Sequence, residues 1–250
     1  WDGSSWGQLG SNINGDASYD WSGASVSLSS DGQTVAIGSP YNDGNGTESG
    51  HVRIYNFNGF DWIKLGDNIN GAAAYDYSGR SVSLSSDGNT VAIGAPYNDE
   101  NGTDAGHVRI YNFNGFNWII AQEIDGESAG DQSGYSVSLS DDGSVVAIGS
   151  PYNGQNGTDA GHVRIYNLND TSFTQLGIAL VGDVSGDESG ISVSLSNNGN
   201  TVAIGARYHQ ANNLPGSGQV KIYNWNGNSW IQVGADIDGL VANEWSGWSV

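Results

Sequence analysis

The sequence predicts an all-β protein, a β-propeller built from four-stranded antiparallel blades. Three observations predict it: an internal repeat of about 56 residues, an Asp-Gly or Asn-Gly turn between apolar segments in every copy, and no segment with room for a helix. Four-stranded units that repeat at roughly this length are typical of propeller blades. Parallel β-helices have much shorter coils, and two-residue hairpin turns impose antiparallel pairing instead.

Each repeat begins with the phrase Ser-Gly-x-Ser-Val, which marks a first strand. In the first copy the turn at Asp31-Gly32 leads to a second strand, Val-Ala-Ile-Gly, and a polar loop follows. A third strand begins at His51, and a turn at Asn58-Gly59 leads to a fourth strand that begins at Trp62. The aromatic residue that opens the fourth strand is Trp6, Trp62, Trp118, Phe173 or Trp230 in the successive copies.

These elements divide the chain into four blades. We expect residues 1–250 to form one propeller within a longer repeat array. An orphan outer strand over residues 1–19 precedes the blades, and residues 244–250 begin a further blade. The four complete blades are expected over residues 20–75, 76–130, 131–186 and 187–243.

Composition narrows the classes of function. The sequence has 7 Lys+Arg and 27 Asp+Glu, a formal net charge of −20, which argues against a nucleic-acid partner. It has no cysteine, so disulfides, thiolate zinc sites and thiol nucleophiles are excluded. No apolar stretch approaches the ~18 residues that a membrane-spanning helix needs, and we therefore expect no membrane insertion.

The repeated motifs resemble a known family. The Ser-Gly-x-Ser-Val opening, the Gly-Ala-Pro at Gly94, the Gly-His-Val-Arg-Ile-Tyr strand and the closing Trp are similar to the FG-GAP repeats of integrin-α-type propellers. The variant found in secreted surface proteins is the better match. The resemblance implies an extracellular or cell-surface adhesion module that is not an enzyme. The short Ser-Ser-Asp-Gly turn replaces the family's Asp-x-Asp-x-Asp-Gly calcium loop, so no cofactor is expected to be required.

Oxygen-rich loops after the second strands are the candidates for a cation. Their carboxylates and carboxamides suit Ca²⁺, but tight Asn-Gly turns explain the same composition. The metal candidates are Asp43, Asp99, Asp104 and Asp159. The same loops contain sequons for N-glycosylation at Asn45, Asn101 and Asn156.

Positions that are identical in every blade are expected to be scaffold, because an active site is built only once. The repeated histidines of the third strands share a face with Arg, so we expect them to pack between blades, with cation–π contacts, rather than to bind metal. The repeated Asp before each Ser-Gly is expected to accept backbone N–H bonds. The two sets are His51, His107 and His162, and Asp20, Asp76, Asp131 and Asp187.

Positions that differ between nearly identical copies are more informative. Two positions around each Ser-Gly vary and are rich in aromatic residues, and the loops that carry them should share one face of the propeller. Such a surface suits ligand binding, since aromatic anchors supply much interface energy, although neutral variation at exposed sites is the alternative. The predicted ligand-binding residues are Trp21, Tyr77, Arg80, Tyr135, Arg207, His209, Trp245 and Trp248.

Three classes of function remain open from the sequence. The first is a recognition module that binds a glycan or an extracellular protein through this face. The second is a structural spacer or surface-filament subunit, and self-association through the incomplete propeller ends would serve it. A glycan-active hydrolase is the third and weakest class, because no unique acid–base or nucleophile–base pair is visible.

Overall fold

The computed structural model describes residues 3–169 and 172–250, which contain four antiparallel sheets in sequence order. Blade 1 comprises β1 (Ser25–Leu28), β2 (Thr34–Ser39), β3 (His51–Phe57), β4 (Trp62–Lys64) and β5 (Ile69–Asn70). Blade 2 comprises β6 (Ser81–Leu84), β7 (Thr90–Ala95), β8 (His107–Phe113) and β9 (Trp118–Asp125). Blade 3 comprises β10 (Ser136–Leu139), β11 (Val145–Ser150), β12 (His162–Asn169), β13 (Ser172–Gln175) and β14 (Leu180–Val181). Blade 4 comprises β15 (Ser189–Leu195), β16 (Thr201–Ala206), β17 (Gln219–Trp225), β18 (Trp230–Gln232) and β19 (Ile237–Asp238).

Every sheet is an up-and-down meander, so the predicted all-β fold of four-stranded blades is confirmed. In blades 1, 3 and 4 the outer strand is split into two segments that pair with the same third strand. In blade 2 the outer strand is continuous, with a register shift opposite Ile110 and Tyr111. The one helical segment of the described residues is a 3₁₀ turn at Ala211–Asn213, and none of their helices has the length and apolar character to cross a membrane.

The N-terminal segment does not form the outer strand that was predicted over residues 1–19. Residues 1 and 2 lie outside the described range, and residues 3–19 contain no strand. They nevertheless run where an outer strand would, because the Trp62 indole N–H donates to the Leu9 carbonyl at 2.9 Å. In blade 2 the equivalent bond joins Trp118 to the Leu65 carbonyl, also at 2.9 Å. A strand needs a paired neighbour, and no third strand of the described chain precedes this segment.

The hydrophobic core lies between the blades. At each interface a face of one sheet packs on a face of the sheet that follows it in the chain. We call the first the trailing face of its blade and the second the leading face of the next blade. This stacking buries the apolar positions of every internal sheet face and explains how a glycine-rich chain forms a core. Between blades 1 and 2 the trailing face consists of Ala36, Val52, Ile54 and Ile69, and the leading face consists of Val82, Leu84, Val91, Ile93, Tyr111 and Trp118.

Close backbone approach between blades explains the glycine that ends each Val-Ala-Ile-Gly strand. A Cβ atom at Gly94 would overlap the carbonyl oxygen of Gly134, which belongs to the next repeat. The same geometry recurs at Gly38, where the obstructing oxygen is that of Gly79. Only glycine fits this position without moving the neighbouring blade.

Two blade faces remain uncovered. On the leading face of blade 1, Leu28 is 59% exposed, whereas its counterpart Leu84 in blade 2 is 7% exposed. On the trailing face of blade 4, Ile237 is 53% exposed, whereas Ile124 in blade 2 is 6% exposed. The described array therefore has one exposed leading face and one exposed trailing face, and these are the two kinds of surface that pack together between neighbouring blades.

Candidate functional site

The upper face of the array is where the loop before each first strand meets the loop between the second and third strands of the preceding blade. A parallel bridge joins Gly50 to Ser78, and the Tyr77 amide donates to the Glu48 carbonyl at 3.2 Å. Equivalent bridges join the later repeats, at Gly106 and Ser133 for example. The two loops that were predicted to share a face are therefore hydrogen-bonded to one another.

Repeated aspartates hold these loops in place. The Asp76 side chain accepts from the Ala73 amide at 2.8 Å and from the Asn98 carboxamide at 3.2 Å, and it is buried. In blade 4 the carboxamide is replaced by His209, whose Nδ1 lies 3.1 Å from Asp187 Oδ1. The carboxylates accept hydrogen bonds from N–H groups, as the sequence suggested, and therefore have a structural role. His209 itself is half-buried.

The first variable position of each copy has a left-handed backbone. Trp21, Tyr77 and Trp245 have φ values of 53°, 54° and 57°, and the corresponding Gln and Glu of the other copies share this conformation. Such a conformation is uncommon for large side chains. Its recurrence shows that the turn imposes it on whichever residue is present, so the side chain at this position can vary without altering the scaffold.

Aromatic side chains form a continuous row across blades 1 and 2. The ring of Trp21 lies 4.4 Å from that of Tyr41, and Tyr41 lies 5.0 Å from Tyr77. Tyr77 in turn lies 4.9 Å from Tyr97. A hydrogen bond from Tyr77 Oη to Glu48 Oε2 at 2.7 Å, together with burial, raises the pKa of this tyrosine. These edge-on contacts fix the ring orientations, while Trp21 remains 61% exposed.

On the same face, a cation–π contact joins an arginine of blade 2 to a tyrosine of blade 3. The Arg80 guanidinium lies 4.5 Å from the centre of the Tyr135 ring and donates to its hydroxyl at 2.8 Å. Tyr135 then contacts Tyr152 edge-on, at 6.2 Å between ring centres. Arg80 and Tyr135 are both half-buried, so each keeps accessible surface beside the contact.

Blade 4 has a separate aromatic cluster around Arg207. This guanidinium pairs with Glu188 at 2.6 Å and lies 4.6 Å from the Tyr208 ring and 4.5 Å from the Trp248 ring. Trp248 also stacks on Trp245 at 5.7 Å. Arg207 was predicted to contact a ligand, and at 7% exposure it offers little surface for a direct contact.

A groove of about 970 Å³ opens at blade 3. Its lining includes Tyr152, Asn153, Gln155 and Asp159, together with residues 127–131 and 177–179. The groove thus combines one aromatic ring with carboxamide and carboxylate groups at the edge of the upper face.

Four tyrosines of the upper face are absent from the residues predicted from the sequence. They belong to the loop that follows each second strand and recur in all four blades, and positions that recur in every blade are expected to be scaffold. The structure places them between the variable residues, where they form part of the same surface. The missed residues are Tyr41, Tyr97, Tyr152 and Tyr208.

The aspartates proposed as calcium ligands mainly shape their own loops. Asp43 Oδ1 accepts from the Glu48 amide and Asp99 Oδ1 from the Asp104 amide, both at 2.8 Å. Burial and the negative charge of Asp99 raise the pKa of Asp104. Among the described residues, the groups that could hold a metal ion lie elsewhere, at Glu100, His107, Glu123 and Asp125 and at Asp183, Asp187 and His209.

The repeated histidines are buried inside the blades. Burial and the nearby Arg164 lower the pKa of His162 to about 4, and burial also lowers the pKa of His51. The neighbouring arginines make the expected cation–π contacts, with Arg53 5.8 Å from the Tyr55 ring. These imidazoles are therefore neutral at pH 7 and act in packing in blades 1 and 3.

Comparison with known proteins identifies the repeat. The FG-GAP repeat family matches residues 14–55 and 70–111, so the resemblance noted in the sequence is confirmed over these two repeats. A comparison with curated proteins gives no match.

Solved structures share the fold. A protein from Bacteroides uniformis ATCC 8492, described as a "putative 6-phosphogluconolactonase", is similar with a TM-score of 0.59 and 13% identity, over 87% of this chain and 55% of that one. A functionally unknown protein from Desulfotomaculum acetoxidans DSM 771 is similar with a TM-score of 0.56 and 17% identity, over 90% of this chain and 59% of that one. At these identities the similarity shows the fold alone, and the chain spans little more than half of either protein.

Proposed function

From FG-GAP repeats folded as four successive blades, we propose that this chain is a non-enzymatic extracellular recognition module whose upper face binds a glycan. The single observation that carries the proposal is that aromatic rings contact one another on the upper face of every blade. Aromatic faces stack on sugar rings, and the surrounding carboxamides and carboxylates can hydrogen-bond to hydroxyl groups.

The net charge of the chain disfavours an anionic ligand. Arg207 is neutralised by Glu188, whereas Arg80 contacts only the uncharged Tyr135 side chain and keeps its positive charge. The chain's net charge of −20 repels polyanions at long range. A neutral oligosaccharide therefore fits this surface better than a sulfated or phosphorylated one.

A combined variant tests the proposal. Replacing Trp21, Tyr77, Arg80 and Tyr135 by alanine should abolish binding to an array of neutral oligosaccharides, since each anchor is worth roughly 1 to 2 kcal/mol or more. The matched control replaces Phe60 and Phe116 by alanine.

Both control residues are highly exposed aromatics at the turns between third and fourth strands, on the opposite side of the array. Full glycan binding by a correctly folded combined variant would refute the proposal for this face. If the array is silent and the wild type instead captures an extracellular protein through the same residues, the ligand is a protein.

The non-enzymatic part of the proposal rests on the uses of the ionisable groups. The buried aspartates of the upper face accept backbone and carboxamide donors, and His162 is fully buried. The similar structure described as a lactonase suggests the direct check. Hydrolysis of 6-phosphogluconolactone above its spontaneous rate would contradict this part of the proposal.

A second candidate function is assembly into a longer array. The uncovered faces of blades 1 and 4 favour it, because each has the composition of a face that is buried elsewhere in the molecule. Self-association through these ends would appear as concentration-dependent growth in sedimentation velocity, and Leu28→Asp should suppress it. A chain that stays monomeric at high concentration would rule this candidate out.

A further inference from the structure

Blade 2 surrounds its buried histidine with groups that the neighbouring blades lack. The His107 side chain is 2% exposed, and its Nδ1 lies 3.0 Å from Glu123 Oε1 without the geometry of a hydrogen bond. The carboxylates of Glu100 and Asp125 lie beside the same imidazole. One ligand atom from each of the four residues lies within 4.8 Å of all the others, a spacing that one metal ion can bridge.

The other blades show that these acids are not needed to bury a histidine. His51 and His162 occupy the same position in β3 and β12 and are as deeply buried. In blades 1 and 3 the positions of the three acids are taken by residues without charge, whereas blade 4 has Asp236 and Asp238 there but Gln219 in place of the histidine. The counterparts of Glu100, Glu123 and Asp125 are Gly44, Asn68 and Asn70 in blade 1, and Gln155, Ala179 and Val181 in blade 3.

One of the three acids has a structural explanation. In blade 1 the third-strand arginine, Arg53, pairs with Asp16 at 2.6 Å, but the residue equivalent to Asp16 in blade 2 is Ala72. Arg109 turns to Glu123 of its own blade instead, with Nε and Nη2 both 2.7 Å from Oε1. Glu123 therefore replaces a missing partner, whereas Glu100 and Asp125 have no such role.

The charges of the cluster are unbalanced. Arg109 pairs with Glu123, and the nearby Arg164 pairs with Glu127 and donates to the Asp125 backbone carbonyl. The carboxylates of Glu100 and Asp125 are in none of the ion pairs found among the described residues. A neutral imidazole has one ring nitrogen with a lone pair that can coordinate a metal ion.

We propose that blade 2 binds one divalent transition-metal ion through Glu100, His107, Glu123 and Asp125. A divalent ion would offset the repulsion among the three carboxylates and could coordinate the buried imidazole that they surround. Mixed imidazole and carboxylate ligands favour an ion such as Zn²⁺ over Ca²⁺, which takes oxygen ligands. Because three of the four residues are exposed, the ion can enter from solvent.

Calorimetric titration with Zn²⁺ tests the proposal, and the chain's own repeats supply the variants. Glu100→Gln and Asp125→Asn introduce residues that are native at these positions in blades 3 and 1. Each should weaken the affinity for Zn²⁺ by more than about tenfold, since even outer-shell partners of a metal ligand contribute about 10- to 100-fold. The matched control is His162→Gln, which removes the equivalent histidine from a blade without the acids and should leave Zn²⁺ binding unchanged.

The outcomes separate this site from its competitors. Glu100 is exposed, so Glu100→Gln should fold normally and melt at the wild-type temperature without metal, while losing the upward shift that Zn²⁺ gives the wild type. Absence of Zn²⁺ binding at millimolar concentration would overturn the proposal. Binding that survives Glu100→Gln and Asp125→Asn but is lost in Asp183→Asn would place the ion in blade 4, and tighter binding of Ca²⁺ than Zn²⁺ would overturn the choice of metal.

Discussion

Removing the Trp118 side chain tests how much a single blade interface stabilises the array. This tryptophan is 6% exposed and packs among the leucine, valine and isoleucine side chains between blades 1 and 2. Its ring lies 5.2 Å from that of Phe113, and its indole N–H donates to the Leu65 carbonyl of the preceding blade at 2.9 Å. It therefore combines apolar burial with a hydrogen bond across the interface.

The expected cost of Trp118→Ala is about 3 to 5 kcal/mol, the usual range for a buried aromatic residue, because both the packing and the hydrogen bond are lost. Trp118→Phe keeps most of the packing but leaves the Leu65 carbonyl without its donor. That variant should cost about 1 to 3 kcal/mol. Phenylalanine is the native residue at this position in blade 3, as Phe173, so the ring is compatible with the fold.

Trp62→Ala is the matched control. Trp62 makes the same kind of hydrogen bond, to Leu9, and the same ring contact, to Phe57 at 5.3 Å. It packs on the strandless segment of residues 3–19 instead of on a complete blade, and it is only half-buried. Its loss should therefore cost about 1 to 2 kcal/mol.

Urea unfolding followed by far-ultraviolet circular dichroism measures both costs, with midpoints compared directly because repeat arrays need not unfold in one step. A cost below about 1 kcal/mol for Trp118→Ala would show that this interface does not carry the stability assigned to it. A larger effect for Trp62→Ala than for Trp118→Ala would refute the argument that a complete neighbouring blade is what matters.

Three further results are expected. Stability should fall as the pH drops from 6.5 to about 4, because the unfolded chain then takes up a proton on His162 that the folded chain excludes. Thermal melts at a series of pH values measure this, and His162→Gln should make the dependence of stability on pH shallower. Gly94→Ala should destabilise the protein by about 1 to 3 kcal/mol or more, since the new methyl group meets the Gly134 carbonyl, and wild-type stability in urea would contradict this. Addition of EDTA should leave the thermal transition cooperative, because the inter-blade cores are apolar, and its collapse in calorimetry would show that a metal is required for folding.

The fold was predictable because its determinants are local and repeated. The Asp31-Gly32 turn and its equivalents specify hairpins, and the alternating apolar residues specify which sheet face is buried. The exception at residues 3–19 follows from the same principle, because strand formation depends on a neighbour that hydrophobic pattern does not supply. Similarly, nothing local distinguishes Leu28 from Leu84, although the first is exposed and the second is buried between blades.

The candidate sites were predictable only in part, because they depend on which side chains meet across repeats. The variable residues of the upper face were visible as differences between copies, but Tyr41 and Tyr97 become members of the row only through contacts with Trp21 and Tyr77. No local pattern in the sequence indicates that Arg207 pairs with Glu188.

The cluster around His107 also depends on residues that are distant from one another in the sequence. Identity between copies placed the histidine in the scaffold, and the acids that set blade 2 apart are separated in sequence, so no motif joins them. A residue that recurs in several blades, as this histidine does in blades 1, 2 and 3, can thus have different surroundings in each of them. In this chain, a repeated residue is best interpreted from the side chains around it. Comparing those neighbours between blades separates scaffold positions from candidate sites.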